Sequence, residues 1–171
     1  MSAVRRLRLT DYLAEPRIFC SPGRVPLIKI LLSMAEAVVA AGSIRSPLEY
    51  YNELANRCSP ATPPSDPDPG PLAKIYPVCS ASVSKLTAAL AVCPEGVRSK
   101  DPQETVHALV LLSAPANAES LCTALGAHLG RLLKPAAHRR ALVESTSPAA
   151  AWSALVLMES ELTSSSPALS P

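Results

Sequence analysis

Residues 106–115 read VHALVLLSAP, and this stretch decides the fold. Its apolar side chains fill both sets of alternating positions, so an extended segment over 106–112 would be apolar on both faces. A strand of that kind is typical of the centre of a sheet that is covered on each side. Residues 86–93 alternate in hydrophobicity and predict a neighbouring strand.

Helical patterns occur on either side of these strands along the chain. Ser46 and Glu49 form a capping box around Pro47, which is typical of a helix start. The apolar spacing and the capping residues predict helices over 25–41, 46–57, 118–133, 135–144 and 147–159. A short strand is predicted at 17–20. The sequence therefore predicts an α/β fold whose sheet is flanked by helices on both faces.

Prolines interrupt the chain between the first helices and the strands. The segment 59–77 contains Pro60, Pro63, Pro64, Pro67, Pro69, Pro71 and Pro77. Because each proline removes a backbone donor, this segment is predicted to be a long loop, either functional or disordered. The Ser- and Pro-rich residues 160–171 predict a disordered tail, which leaves one domain over 1–159.

Composition limits the classes of function. A formal net charge of +2 over 171 residues does not indicate a surface for nucleic acid, and Arg5 to Arg8 are interpreted as a solvated terminus. No apolar stretch is long enough to cross a bilayer, and no secretory signal is recognised, so we expect a cytoplasmic protein without membrane insertion. The five cysteines form no CxxC pair, which predicts a reducing compartment and neither a zinc site nor another cofactor.

Several short segments carry a family resemblance. They are Leu9-Thr10-Asp11-Tyr12-Leu13, the helix end ELANR at 53–57, the strand and turn ALAVCPEGV at 89–97, the strand at 106–115, and the closing helical pieces at 132–133 and 142–147. In this order and spacing the chain, from about Leu9 to Leu157, resembles the fructose/mannitol-type IIA domains of the bacterial sugar phosphotransferase system, including their nitrogen-regulatory paralogue. The resemblance implies a mixed β-sheet flanked by helices on both faces.

The resemblance also implies a site for phosphoryl transfer. In the family, a histidine after an Ile-Pro pair accepts the phosphoryl group, a second histidine at the start of a long helix hydrogen-bonds it, and an arginine holds the charge. Val78 stands at the expected acceptor position here, in the run IYPV. Cys122 stands at the second histidine position, with Ser120 as the alternative. Arg57 is retained as a candidate binding residue, although Cys58 replaces the acidic residue that follows it.

Two functional hypotheses follow from this pattern. The first is a degenerate IIA-like domain that regulates or binds a protein without phosphoryl transfer. Its partner would be the histidine-containing phosphocarrier, or a kinase or transporter of the kind the nitrogen-regulatory paralogue controls. The second is an active phosphocarrier that uses Cys79 or Cys122 as an unorthodox acceptor, although both thiols can equally be buried and inert.

A third interpretation is that the resemblance is accidental. The three histidines, His107, His128 and His138, all lie after the acceptor position and are predicted to be structural or solvated.

Overall fold

The computed structural model describes residues 7–21, 25–57, 71–98 and 105–165. Arg5, Arg6 and Cys58 lie outside these ranges. The strands are β1 (Ile18–Cys20), β2 (Leu72–Ser80), β3 (Thr87–Arg98) and β4 (Thr105–Pro115). They form one sheet in the order β1-β3-β4-β2. The sheet is mixed, since β3 is antiparallel to β4 while β1 is parallel to β3 and β2 is parallel to β4.

Helices cover both faces of this sheet. They are α1 (Leu27–Ala40), α2 (Pro47–Arg57), α3 (Glu119–Leu132), α4 (Ala136–Val143) and α5 (Pro148–Ser165). Buried residues of α1 and α2 share one core with the sheet, and those of α3, α4 and α5 share a second core on the other face. The predicted fold is therefore confirmed. Within the described ranges, none of the helices combines the length and the apolar character that crossing a membrane requires.

Strand β4 contributes to both cores. Val110 and Leu112 belong to the core under α3, α4 and α5, whereas Leu109 and Leu111 belong to the core under α1 and α2. All four side chains are almost completely buried. Burying one such side chain contributes about 1.5–3 kcal/mol, so this strand alone strongly favours a sheet covered on both sides. The central position predicted for residues 106–112 is confirmed.

The loop predicted at 59–77 was expected to end at residue 77, and that end is wrong. Strand β2 begins at Leu72 and includes Pro77, although the prolines predicted a break. The physical reason is the position of β2 at the edge of the described sheet, where it pairs only with β4. Since alternate N–H groups of an edge strand point away from its neighbour, proline is accommodated there. Residues 59–70 of the predicted loop lie outside the described residues.

The beginning of the predicted tail at residue 160 is also wrong. Helix α5 continues to Ser165. Leu162 packs against the core, and the Thr163 hydroxyl donates to the Glu159 carbonyl at 2.8 Å, so the additional turn has both apolar and polar contacts. The rest of the predicted tail lies outside the part of the chain that the structure describes.

A buried carboxylate joins the N-terminal segment to the helices. Glu159 is 5% exposed and accepts hydrogen bonds from the backbone N–H of Leu9, from His128 Nε2 at 3.0 Å and from the Thr10 hydroxyl at 2.8 Å. Burial acts to raise the pKa of Glu159, but the bonds from His128, Thr10 and Leu9 outweigh it and hold the pKa below its usual value. The opening Leu9-Thr10 motif therefore has a structural role in this protein.

We predict that Glu159→Gln lowers the free energy of unfolding by about 1–3 kcal/mol at pH 7, because three donors lose an ionised acceptor. The lowered pKa of Glu159 means that its contribution is complete above the unfolded pKa, about 4.3, and is lost as the pH falls through the folded pKa. Urea unfolding at pH 7 and in acid should therefore show the difference between wild type and variant shrinking in acid.

The matched control is Glu161→Gln on the same helix, where the carboxylate is 57% exposed and should change stability little. A loss for Glu159→Gln that stays constant from pH 7 into acid would contradict the assignment of the ionised carboxylate as the stabilising group.

Candidate functional site

The candidate site lies at the C-terminal ends of β2 and β4, and this region is called the β2 end. These strands run in parallel, and Val78 pairs with Ser113 while Cys79 pairs with Ala114. A 3-10 turn (Ala116–Ala118) connects β4 directly to α3, so the first turn of α3 lies at the same edge of the sheet. This edge is where the resemblance predicts phosphate chemistry.

Val78 faces the core at this edge. Its side chain is 5% exposed and belongs to the core formed with α1 and α2. Beside it, the buried Tyr50 hydroxyl and Ser113 Oγ hydrogen-bond to each other at 2.5 Å. An isopropyl group has no lone pair to offer a phosphorus atom, and here it is also screened from solvent.

Cys79 points the opposite way from Val78, as successive strand residues do, and is exposed. Cys79 neighbours Cys122, which is 2% exposed in the second core. Burial, followed by the interaction with Cys79 and the charge of Glu119, raises the pKa of Cys122 to about 12. Cys122 is therefore protonated near neutral pH. The structure brings Cys79 and Cys122 together, and it places Val78 on the other face of the sheet.

The other residues predicted for the site are Arg57 and Ser120. Arg57 is the last residue of α2, but its side chain lies outside what the structure describes, so its role as an anion ligand stays a prediction. Ser120 is exposed on the first turn of α3. Two other arginines, Arg17 and Arg139, donate to backbone carbonyls and hold segments of the fold together.

All three histidines lie away from the β2 end or are engaged elsewhere. His107 is near the start of β4, roughly 20 Å along the strand from Ser113. Burial lowers its pKa, and its Nδ1 has no hydrogen-bond partner among the described residues. His128 is bonded to Glu159, and His138 Nδ1 donates to a backbone carbonyl at 2.7 Å.

The sequence interpretation missed a layer of buried hydroxyl groups at this edge. They form three pairs at 2.5–2.7 Å: Tyr50 with Ser113, Ser43 with Thr87, and Ser80 with Ser82. Thr87 and Ser113 are also opposite each other in neighbouring strands. The layer fastens the connection between α1 and α2 to the sheet. The Ser80 hydroxyl also accepts from the Ser82 backbone N–H at 3.0 Å, and the Thr87 hydroxyl also donates to the Lys85 carbonyl at 3.3 Å.

Other features of the described residues do not supply a second chemical site. Within the ranges that the structure covers, no group of three or more His, Cys, Asp or Glu side chains could hold a metal ion. An open cleft of about 330 Å³ lies between β1 and α1, lined by Phe19, Lys29 and mainly apolar neighbours. Because Cys20 pairs with Val92 and Val92 with Ala108, this cleft is at the opposite end of the sheet from Val78.

Comparison with known proteins identifies the fold. No protein-family model matches the sequence, and no curated protein matches it. Solved structures do match. The chain is similar to the nitrogen regulatory protein IIA-Ntr of Neisseria meningitidis, with a TM-score of 0.64 and 16% identity over 85% of this chain and 97% of that chain. It is similar to a cryptic mannitol-specific phosphotransferase enzyme IIA of Escherichia coli, with a TM-score of 0.63 and 18% identity over 87% and 98%.

A third similar structure is that of a protein complex. The mannitol IIA protein of Escherichia coli, solved in complex with phosphorylated mannitol IIB, has a TM-score of 0.64 and 18% identity over 84% of this chain and 96% of that chain. These likenesses establish the fold, which is that of the phosphotransferase-system IIA proteins, as the sequence resemblance predicted.

We predict that iodoacetamide at pH 8 alkylates Cys79 at least about 100-fold faster than Cys122, because Cys79 is exposed whereas Cys122 is buried and burial raises its pKa to about 12. Peptide mapping by mass spectrometry after a brief exposure measures both rates. Cys93 serves as the control, since it is buried and burial raises its pKa to about 11, so it should also react slowly. Equal rates at Cys79 and Cys122 in the folded chain would contradict the described site.

Proposed function

We propose that this chain is a phosphotransferase-system IIA-like protein that binds a protein partner and does not carry a phosphoryl group on histidine. The observation behind the proposal is the composition of the β2 end, where Val78 is buried and Cys79 is the exposed neighbour. A relay by histidine needs an accessible imidazole nitrogen at that position. The proposal also includes a cytoplasmic location.

The three imidazoles are poor substitutes for the missing acceptor. His107 is distant and lies near the opposite end of β4. A phosphoryl group on Nε2 of His128 would replace its bond to Glu159 and place like charges against each other in a buried site. Two unit charges 4 Å apart interact by about 4 kcal/mol at an effective dielectric of 20, so that modification is strongly disfavoured. His138 Nε2 similarly faces Glu161 at 3.4 Å.

The partner that we propose is the histidine-containing phosphocarrier, or a kinase or transporter under regulatory control. The binding of a IIB protein by the similar mannitol IIA protein supports a protein partner. The surface around the β2 end offers Pro77, Cys79 and Leu121, which are all exposed. Leu121 is a large apolar side chain at 37% exposure, so it can supply apolar area to the core of a protein contact, where charged residues are depleted.

The second candidate function is phosphoryl transfer through a thiol. One observation favours Cys79 for it, because this thiol is exposed directly after the acceptor position on β2. Cys122 is the weaker candidate, since its pKa of about 12 leaves almost no thiolate at neutral pH.

Incubation with phosphoenolpyruvate, enzyme I and the histidine-containing phosphocarrier separates the two functions. We predict that the intact mass of the full chain stays unchanged, because no described histidine is placed to accept the phosphoryl group. The mannitol IIA protein of Escherichia coli, tested in parallel, shows that the relay is active. A phosphorylated product that disappears in Cys79→Ala would instead establish the thiol mechanism, and one that persists in both Cys79→Ala and Cys122→Ala would refute both candidates.

We also predict that Leu121→Asp weakens binding of the unphosphorylated phosphocarrier at least about tenfold, because a charge replaces an apolar contact. Leu157→Asp is the matched control, as Leu157 is 61% exposed on α5, away from the β2 end. Calorimetric titration measures both affinities. Equal weakening by the two variants, or no binding by wild type at about 1 mM carrier, would contradict this choice of partner and surface.

A further inference from the structure

Two cysteines from distant parts of the sequence lie on the same face of the sheet at the β2 end. Cys79 is on the last part of β2, and Cys122 is on the first turn of α3, which packs against β2. Strand alternation turns Cys79 toward the face of the sheet that carries α3, and after burial the neighbouring Cys79 is among the causes that raise the pKa of Cys122; both are free cysteines. One is exposed and the other is buried, so a reagent from solvent can reach the pair only from the side of Cys79.

We propose that Cys79 and Cys122 form an oxidisable dithiol, a modification site that closes as a reversible disulfide by exchange with a low-molecular-weight disulfide of the glutathione class. This inference depends on the nearness of Cys79 and Cys122 at the end of β2 and is independent of the proposed function.

The exchange proceeds in two steps. The Cys79 thiolate attacks one sulfur of the small disulfide, which breaks the sulfur–sulfur bond, forms a mixed disulfide at Cys79 and releases one small thiolate. Cys122 then gives up its proton to the released small thiolate and its sulfur attacks the sulfur of Cys79, which forms the protein disulfide and releases the second small thiolate. Both released thiolates take up protons. In total, two protein thiols are oxidised and one small disulfide is reduced to two thiols.

The arrangement of the pair suits this order of events. Cys79 is the accessible thiol and therefore reacts first, while Cys122 is protected from solvent and acts as the resolving thiol. Burial is the largest cause that raises the pKa of Cys122, so the closing step is expected to be the slower of the two.

A second pair of nearby cysteines provides an internal control. The charge of Cys20 contributes to the raised pKa of Cys93, so the two thiols are also near each other. However, Cys20 packs against the core under α3, α4 and α5, whereas Cys93 belongs to the core under α1 and α2. Side chains on opposite faces of a sheet cannot meet the geometry of a disulfide without movement of the backbone.

The test treats the full chain carrying Cys58→Ser with oxidised glutathione, followed by non-reducing peptide mapping by mass spectrometry. We expect one cross-linked peptide pair containing Cys79 and Cys122, lighter by two hydrogens and restored by dithiothreitol. Adding Cys122→Ser should trap the mixed disulfide with glutathione at Cys79. Adding Cys79→Ser should abolish both products at this site, with circular dichroism confirming that each reduced variant is folded.

Three results would overturn the proposal. The first is that Cys79 and Cys122 stay reduced under conditions that oxidise a control dithiol. The second is that a Cys20–Cys93 product forms instead. The third is that Cys122→Ser remains folded but accumulates no glutathione at Cys79, since the first step would then not occur.

Discussion

Strand β4 is held by hydrogen bonds on both edges and by apolar contacts on both faces. β3 and β2 pair with it on either side, and its buried side chains alternate between the two cores. An extended segment of this kind cannot be stable with one face in water, because several large apolar side chains would be exposed. The helices before and after the strands are thereby required, and the chain order α1, α2, then α3 to α5 divides them between the faces.

The same arrangement fixes the character of the candidate site. Because β2 is parallel to β4, the ends of both strands and the start of α3 meet at one edge. Alternation along β2 then assigns Val78 to the core and Cys79 to the surface, where Cys79 neighbours Cys122. Buried hydroxyl pairs, including Tyr50 with Ser113, join this edge to the first helical layer. The edge therefore combines a IIA-type fold with aliphatic, hydroxyl and thiol groups.

Local sequence patterns predicted most of the fold, since the two-faced apolar run at 106–112 and the helical periods depend only on neighbouring residues. The beginning of β2 was missed because Pro71 and Pro77 indicate a break locally, while tolerance of Pro77 depends on the edge position of the strand. That position is a property of the whole sheet and has no local signal.

The candidate site was only partly predictable for a related reason. The resemblance located the β2 end and the start of α3, but the nearness of Cys79 and Cys122 depends on how α3 lies against the sheet. The partnership of His128 with Glu159 likewise joins residues on two helices. The hydroxyl layer has a weak signal, since Ser80 and Ser113 each follow an apolar run, but nothing in the sequence indicates which hydroxyls pair.

We propose that this chain has the IIA fold without an imidazole that can take part in a phosphoryl relay. Long-range proton–nitrogen correlation spectra of the nitrogen-labelled chain observe each imidazole separately. With the phosphorylated carrier present, the account predicts three unmodified rings, with His128 still bonded to Glu159 and His138 still donating through Nδ1. A phosphorylated ring nitrogen on His107, His128 or His138 would contradict it.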